Sequence, residues 1–123
     1  ALRFPELLHQ ILHDAENNGE EHIISWLPCG RRFKIHNTKL FAHSMMPRYF
    51  NNNRYKSFLR QLSLYEFRRG AWKNSPGPKG SYDHPYFIKG RVDLAERVIR
   101  VKNRNTKMSA WSYAREDDEL KSL

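Results

Sequence analysis

The sequence predicts a mixed α/β (α+β) domain: a three-helix bundle packed on a small antiparallel β-sheet, arranged as a winged helix-turn-helix. Three observations predict it. Two helical patterns meet at the short turn Asn51-Asn52-Asn53. A β-hairpin pattern precedes them. A second pair of strand-like runs follows them around the loop Pro76-Gly77-Pro78-Lys79-Gly80. Helix, hairpin, two helices, strand, loop and strand is the order this fold requires.

Each element has its own signal. Leu7, Leu8, Ile11 and Leu12 mark one face of a first helix, which Pro5 can open and Asn17-Asn18-Gly19 can close. Ile23-Ile24-Ser25-Trp26 and the alternation Phe33-Lys34-Ile35 predict two paired strands, joined through Pro28-Cys29-Gly30. Asn37 or Thr38 can cap a second helix. Its inner face carries Phe41, Met45 and Tyr49 in one row and Ala42, Met46 and Phe50 in the next. Pro47 falls inside that pattern, so a kink or bulge is expected there.

A third helix is expected from about Arg54 to Leu64, with Tyr65–Arg69 leaving it as a strand and Tyr86-Phe87-Ile88 returning as another. A last short helix, about Arg91–Arg100, would turn Leu94 and Val98 inward. Beyond Val101 the apolar pattern stops. The expected domain covers residues 4–101, and residues 102–123, ending in Glu116-Asp117-Asp118-Glu119, are expected to be a charged, partly disordered tail or linker.

A chain of 123 residues suits one compact domain plus such a tail. Its many aromatic residues, among them Trp26, Phe33, Phe41, Phe58, Phe67 and Phe87, argue against disorder. The lone Cys29 excludes a disulfide framework within the chain and makes a reducing compartment the default. No apolar run reaches membrane-spanning length, no signal peptide is visible, and no membrane partner is expected. The chain opens on Ala, as a segment of a longer protein would.

The formal net charge is +9, which favours a polyanionic partner. Most of it is concentrated. From Arg48 to Lys73 there are seven basic residues and one acid, Glu66, so these 26 residues carry +6 of the total. A merely solvated face would interleave both signs.

The third helix sorts this charge by face. At about 100° per residue, Phe58, Leu62 and Tyr65 fall together with Tyr55 and Leu59 beside them, a stripe to be buried. Lys56, Arg60 and Ser63 fall on the opposite side, flanked by Ser57 and Leu64. The major groove of duplex DNA, about 12 Å wide, admits a helix of this kind. An arginine at the centre of its outer face can read guanine, because its planar fork matches the O6 and N7 acceptors. Arg60 is therefore the expected base reader, with Lys56 and Arg54 suited to phosphates and Ser57 placed to donate to one near the helix start. Asn53 in the preceding turn is expected to join this surface, and Arg68 and Arg69 to reach the flanking backbone.

The segment Ser57-Phe58-Leu59-Arg60-Gln61-Leu62-Ser63-Leu64-Tyr65-Glu66-Phe67-Arg68-Arg69 resembles the recognition segment of the heat shock transcription factors, S-F-V-R-Q-L-N-x-Y-G-F-R-K. Met46-Pro47-Arg48-Tyr49-Phe50 resembles their L-P-[KR]-Y-F, Ile23-Ile24-Ser25-Trp26 their I-x-W strand, and His84-Pro85-Tyr86-Phe87-Ile88-Lys89-Gly90 their H-P-x-F-[LI]-[RK]-G. The four motifs occur in order over roughly Phe4 to Val101. The resemblance implies a nuclear transcription factor whose winged helix binds double-stranded DNA at inverted repeats of a GAA-type pentamer, one domain per pentamer. It implies that Arg60 reads the guanine and that Ser57, Tyr65 and Arg69 contact the backbone. It also implies a wing that meets neighbouring protein rather than DNA, and a homotrimer formed through a segment beyond this chain.

Three departures from that pattern bear on specificity. Ser63 stands where the family has Asn, so a bidentate amide is lost. Glu66 stands where it has Gly, which is strained if the backbone there needs positive φ and brings a negative charge near phosphates. Asn51 stands where it has Lys.

Two other readings remain open. Another winged-helix class, such as an ETS-like domain, would share the fold. A winged-helix protein-interaction module with weak or altered DNA specificity would account for Ser63 and Glu66. An enzyme is not expected, nor a cofactor or a metal. His9 and His13 lie at i, i+4, but Gln10 stands where a zinc protease needs Glu, and both histidines are expected on the surface.

Overall fold

The computed structural model describes residues 2–51, 54–101 and 109–115. Helix α1 (Phe4–Asn17) carries Pro5 in its first turn, where a missing N–H costs nothing, and gives way at Asn18 to Gly19 in the left-handed region, φ 70°. Leu8, Ile11, Leu12 and Ala15 form its fully buried face. Strands β1 (Ile24–Trp26) and β2 (Arg32–Ile35) pair antiparallel, with Ile24 opposite Ile35 and Trp26 opposite Phe33.

The Asn37 side chain accepts the Leu40 N–H at 3.0 Å and so caps helix α2, residues 38–49. That helix is not uniform. A π-helical turn, Phe41–Met45, separates α-helical Thr38–Leu40 from α-helical Met46–Tyr49. Pro47 thus lies in the first turn of the last segment, where its ring meets no preceding α-helical carbonyl. Phe41, Ala42, Met45 and Met46 are buried, and Tyr49 and Phe50 are half-buried against them.

Helix α3 (Tyr55–Leu64) follows, then strand β3 (Arg68–Arg69), a long loop, and strand β4 (Ser81–Asp83). The sheet runs β1-β2-β4-β3, all antiparallel, so β4 enters between the first hairpin and the strand leaving α3. The loop closes tightly over Gly70: a Cβ there would lie 2.3 Å from both the Pro78 carbonyl oxygen and Ser81 Oγ, so only glycine fits. The core fills the space between helices and sheet. Phe33, fully buried on β2, contacts the rings of Phe67, Tyr82 and Phe87.

Five expectations are corrected. Only Arg68–Arg69 of the run after α3 is strand; Tyr65 and Glu66 form the turn that ends the helix, with Glu66 left-handed at φ 62°. The returning strand is Ser81–Asp83, not Tyr86-Phe87-Ile88. Pro85 cannot donate to a ladder, and His84 Nδ1 accepts the Tyr86 N–H, which turns the chain; Tyr86, Phe87 and Ile88 are then all buried instead of alternating. The last short helix is a 3-10 helix, Val92–Arg97, closed by a bond from the Val98 N–H to the Ala95 carbonyl; Leu94 and Val98 do point inward. His9 is buried, 4.2 Å from the Phe87 ring and 5.8 Å from Trp26, because it follows Leu8 on the inner face of α1; His13 is exposed as expected. Finally, the tail contains helix α4 (Ala110–Arg115), which returns to pack on the turn after α3.

Candidate nucleic-acid interface

Helix α3 is anchored through one face. Phe58 is buried among the rings of Phe4, Phe41 and Phe50, at 5.6, 4.8 and 5.9 Å. Leu62 is buried beside it, and Tyr65 sets its ring edge-on to Phe4 at 5.2 Å. The Tyr55 hydroxyl donates to that of Tyr82 on β4, and burial pushes both phenols above their ordinary pKa, so both stay protonated. The helix is thus tied to the bundle by Phe58 and Leu62 and to the sheet by Tyr55.

The opposite face is open. Lys56, Ser57, Arg60 and Ser63 are all exposed on it, and Arg54 is exposed at the residue preceding the first turn. Arg60 and Lys56 form no ion pair among the described residues. Side chains not paired with a carboxylate keep their attraction for a polyanion. Asn53 lies outside the described residues.

The two arginines of β3 stand differently. Arg69 is exposed and its guanidinium lies over the Trp72 ring, 4.4 Å from the centroid. That stacking restricts the side chain while leaving its N–H groups to solvent. Trp72 sits between two non-glycine residues held left-handed, Ala71 at φ 56° and Lys73 at φ 54°. Arg68, half-buried, donates to Asp83 through Nε at 3.3 Å and Nη2 at 2.9 Å, and its plane lies 4.1 Å from the Trp111 ring. Its fork is therefore engaged by a carboxylate within the fold. Of the nine residues singled out in the sequence, the structure brings Lys56, Ser57, Arg60 and Ser63 onto one face, with Arg54 exposed just before the helix and Arg69 exposed on β3 beyond it. Arg68 is turned inward, and Tyr65 serves both as packing and as edge.

Trp72, Asp83 and Trp111 were not singled out in the sequence. A tryptophan a few residues from an arginine has no fixed spacing that marks a stacked pair, and Trp111 lies 43 positions beyond Arg68. Among the described residues no three His, Cys, Asp or Glu side chains converge on a possible metal site, and no described helix is long and apolar enough to cross a membrane.

The profile of the HSF-type DNA-binding family matches residues 4–101. The chain belongs to the HSF-type DNA-binding family. Among its curated relatives are the heat shock transcription factor of Saccharomyces cerevisiae, 32% identical over 105 residues, and heat shock factor protein 4 of Homo sapiens, 35% identical over 88 residues. These alignments cover 80% and 67% of this chain but only 12% and 18% of the relatives, so the chain spans a small part of their length. The fold is that of a solved structure of Chaetomium thermophilum Skn7 with SSRE DNA: TM-score 0.67 at 24% identity, covering 80% of this chain and 98% of that one. A heat shock transcription factor DNA-binding domain with cognate DNA gives TM-score 0.54 at 24% identity, over 68% and 99% of the two chains. The winged helix-turn-helix of the HSF type is thereby shown for this chain.

Proposed function

We propose that this HSF-type domain inserts α3 into the major groove of duplex DNA and reads GAA-type inverted repeats, one domain per pentamer, as part of a nuclear transcription factor. The observation that carries this reading is the exposed row of Lys56, Arg60 and Ser63, opposite a buried Phe58 and Leu62. A helix gripped on one face and cationic on the other can present its fork to base edges without distorting the core. Arg60 takes the guanine. Ser57, Lys56, Arg54 and Asn53 take phosphates on the N-terminal side of the helix, and Tyr65 and Arg69 take those past its end. Arg68 reaches a phosphate only by giving up Asp83. Ser63 gives weaker readout at its base step than an amide would.

The heat shock factor relatives support nuclear transcription control as the setting. Trimer formation through a segment beyond this chain belongs to the same proposal. The test is binding of the chain to a duplex carrying an inverted GAA repeat and to a scrambled duplex, each across a range of salt. Tighter binding to the repeat, with log K falling about 0.9 per phosphate contacted for each decade of salt, is expected. Equal affinity for both duplexes would contradict specificity and favour the protein-interaction module.

A further inference from the structure

Glu66 is the single acid in the basic stretch from Arg48 to Lys73, and it stands at the end of the DNA-facing helix. A bare carboxylate there would repel the phosphates that Tyr65 and Arg69 are placed to meet. It is not bare. The Ala110 N–H, at the start of α4, points to its carboxylate, 3.3 Å from Oε2 and 3.5 Å from Oε1. Trp111 Nε1–H donates to the Glu66 backbone carbonyl at 3.0 Å. The indole also covers the Arg68 guanidinium at 4.1 Å and lies 6.2 Å from the His84 ring. At the last residue of the family-matched segment, the Val101 N–H donates to the Leu64 carbonyl at 2.8 Å, so the chain meets the end of α3 there and again, past that segment, through α4.

We propose that α4 is a working part of the DNA-binding unit: it docks on Glu66, screens its carboxylate and fixes the left-handed turn from which Arg68 and Arg69 depart. Glu66 and Trp111 are then positioning residues for DNA affinity, and the functional unit extends past residue 101 to at least Trp111. Glutamate at this turn is tolerated because α4 supplies a donor for its side chain and another for its carbonyl. This rests on the reading of α3 as the DNA-binding helix.

The test is a cycle in the full chain, read as affinity for the inverted-repeat duplex at several salt concentrations. Trp111→Ala is expected to weaken binding about threefold at low salt, a deficit that shrinks as salt screens the uncovered carboxylate. In a Glu66→Gln background the same change should have no such effect. Ala110→Pro removes only the backbone donor, at a first helical position that accepts proline, and should give a smaller loss in the same direction even if Trp111→Ala perturbs folding. Unchanged or tighter binding by Trp111→Ala, or an equal loss with and without Glu66, would overturn the proposal. Failure of the unmutated chain to bind any duplex would instead overturn the reading of α3, and the two results are read from different samples.

Discussion

Arg60 is the residue on which recognition turns. It projects from the middle of the exposed face of α3, with no carboxylate pairing among the described residues to compete for its fork. Arg60→Ala is expected to cost about 1–3 kcal/mol on the inverted-repeat duplex and to flatten discrimination at the guanine, as competition with single-base variants would report. Lys56, one turn earlier, is cast as a phosphate contact. Lys56→Ala should weaken specific and scrambled duplexes alike and reduce the salt slope by about 0.9. A loss confined to the specific duplex would recast Lys56 as a base reader. Glu66 shows where residue-level reading stops: the sequence names it as a departure, and its φ of 62° shows the expected strain, worth about 1–2 kcal/mol for a non-glycine residue. Its partners on α4 have no local signature.

At the scale of elements, α3 holds its aim because of what lies behind it. Phe58 is 2% exposed among three phenylalanine rings, and Phe58→Ala should destabilise the fold by about 3–5 kcal/mol in chemical unfolding. A loss under 1 kcal/mol would mean that the helix is held elsewhere. This face was legible in the sequence because helical periodicity is local: Phe58, Leu62 and Tyr65 recur at the right spacing whatever surrounds them. The bulge before Pro47 was legible for the same reason, since a proline carries its own geometry. The returning strand was misplaced because Tyr86-Phe87-Ile88 is as apolar as a strand, while the true strand Ser81-Tyr82-Asp83 is marked only by its pairing with β2 and β3. Pairing of that kind is long-range information. Helix α4 was missed for a related reason: a six-residue helix has little periodicity, and its docking on Glu66 is tertiary.

For the molecule as a whole, two buried histidines set the acid limit. Burial lowers His9 to about 4 and His84 to about 3, against about 6.5 in an unfolded chain. Below pH 6.5 the unfolded chain therefore takes up protons that the native state refuses. Stability should be level above about pH 7.5 and fall as pH drops through 6.5 toward 4, by up to about 1.4 kcal/mol per pH unit for each histidine. Urea midpoints between pH 5 and 8 measure this, and His9→Phe should reduce the slope; a flat profile would contradict the burial of both rings. The same fold separates its charge, with α1 and the sheet forming the ion pairs Glu16–Lys89 and Asp83–Arg68 while the outer face of α3 stays cationic. That separation is what a sequence reader of DNA needs, and selection from a random duplex library tests it most directly. Enrichment of inverted GAA-type pentamers, with the guanine kept and the step facing Ser63 relaxed, is the predicted result. Recovery of no preferred sequence, or of a motif without the repeated guanine, would contradict it.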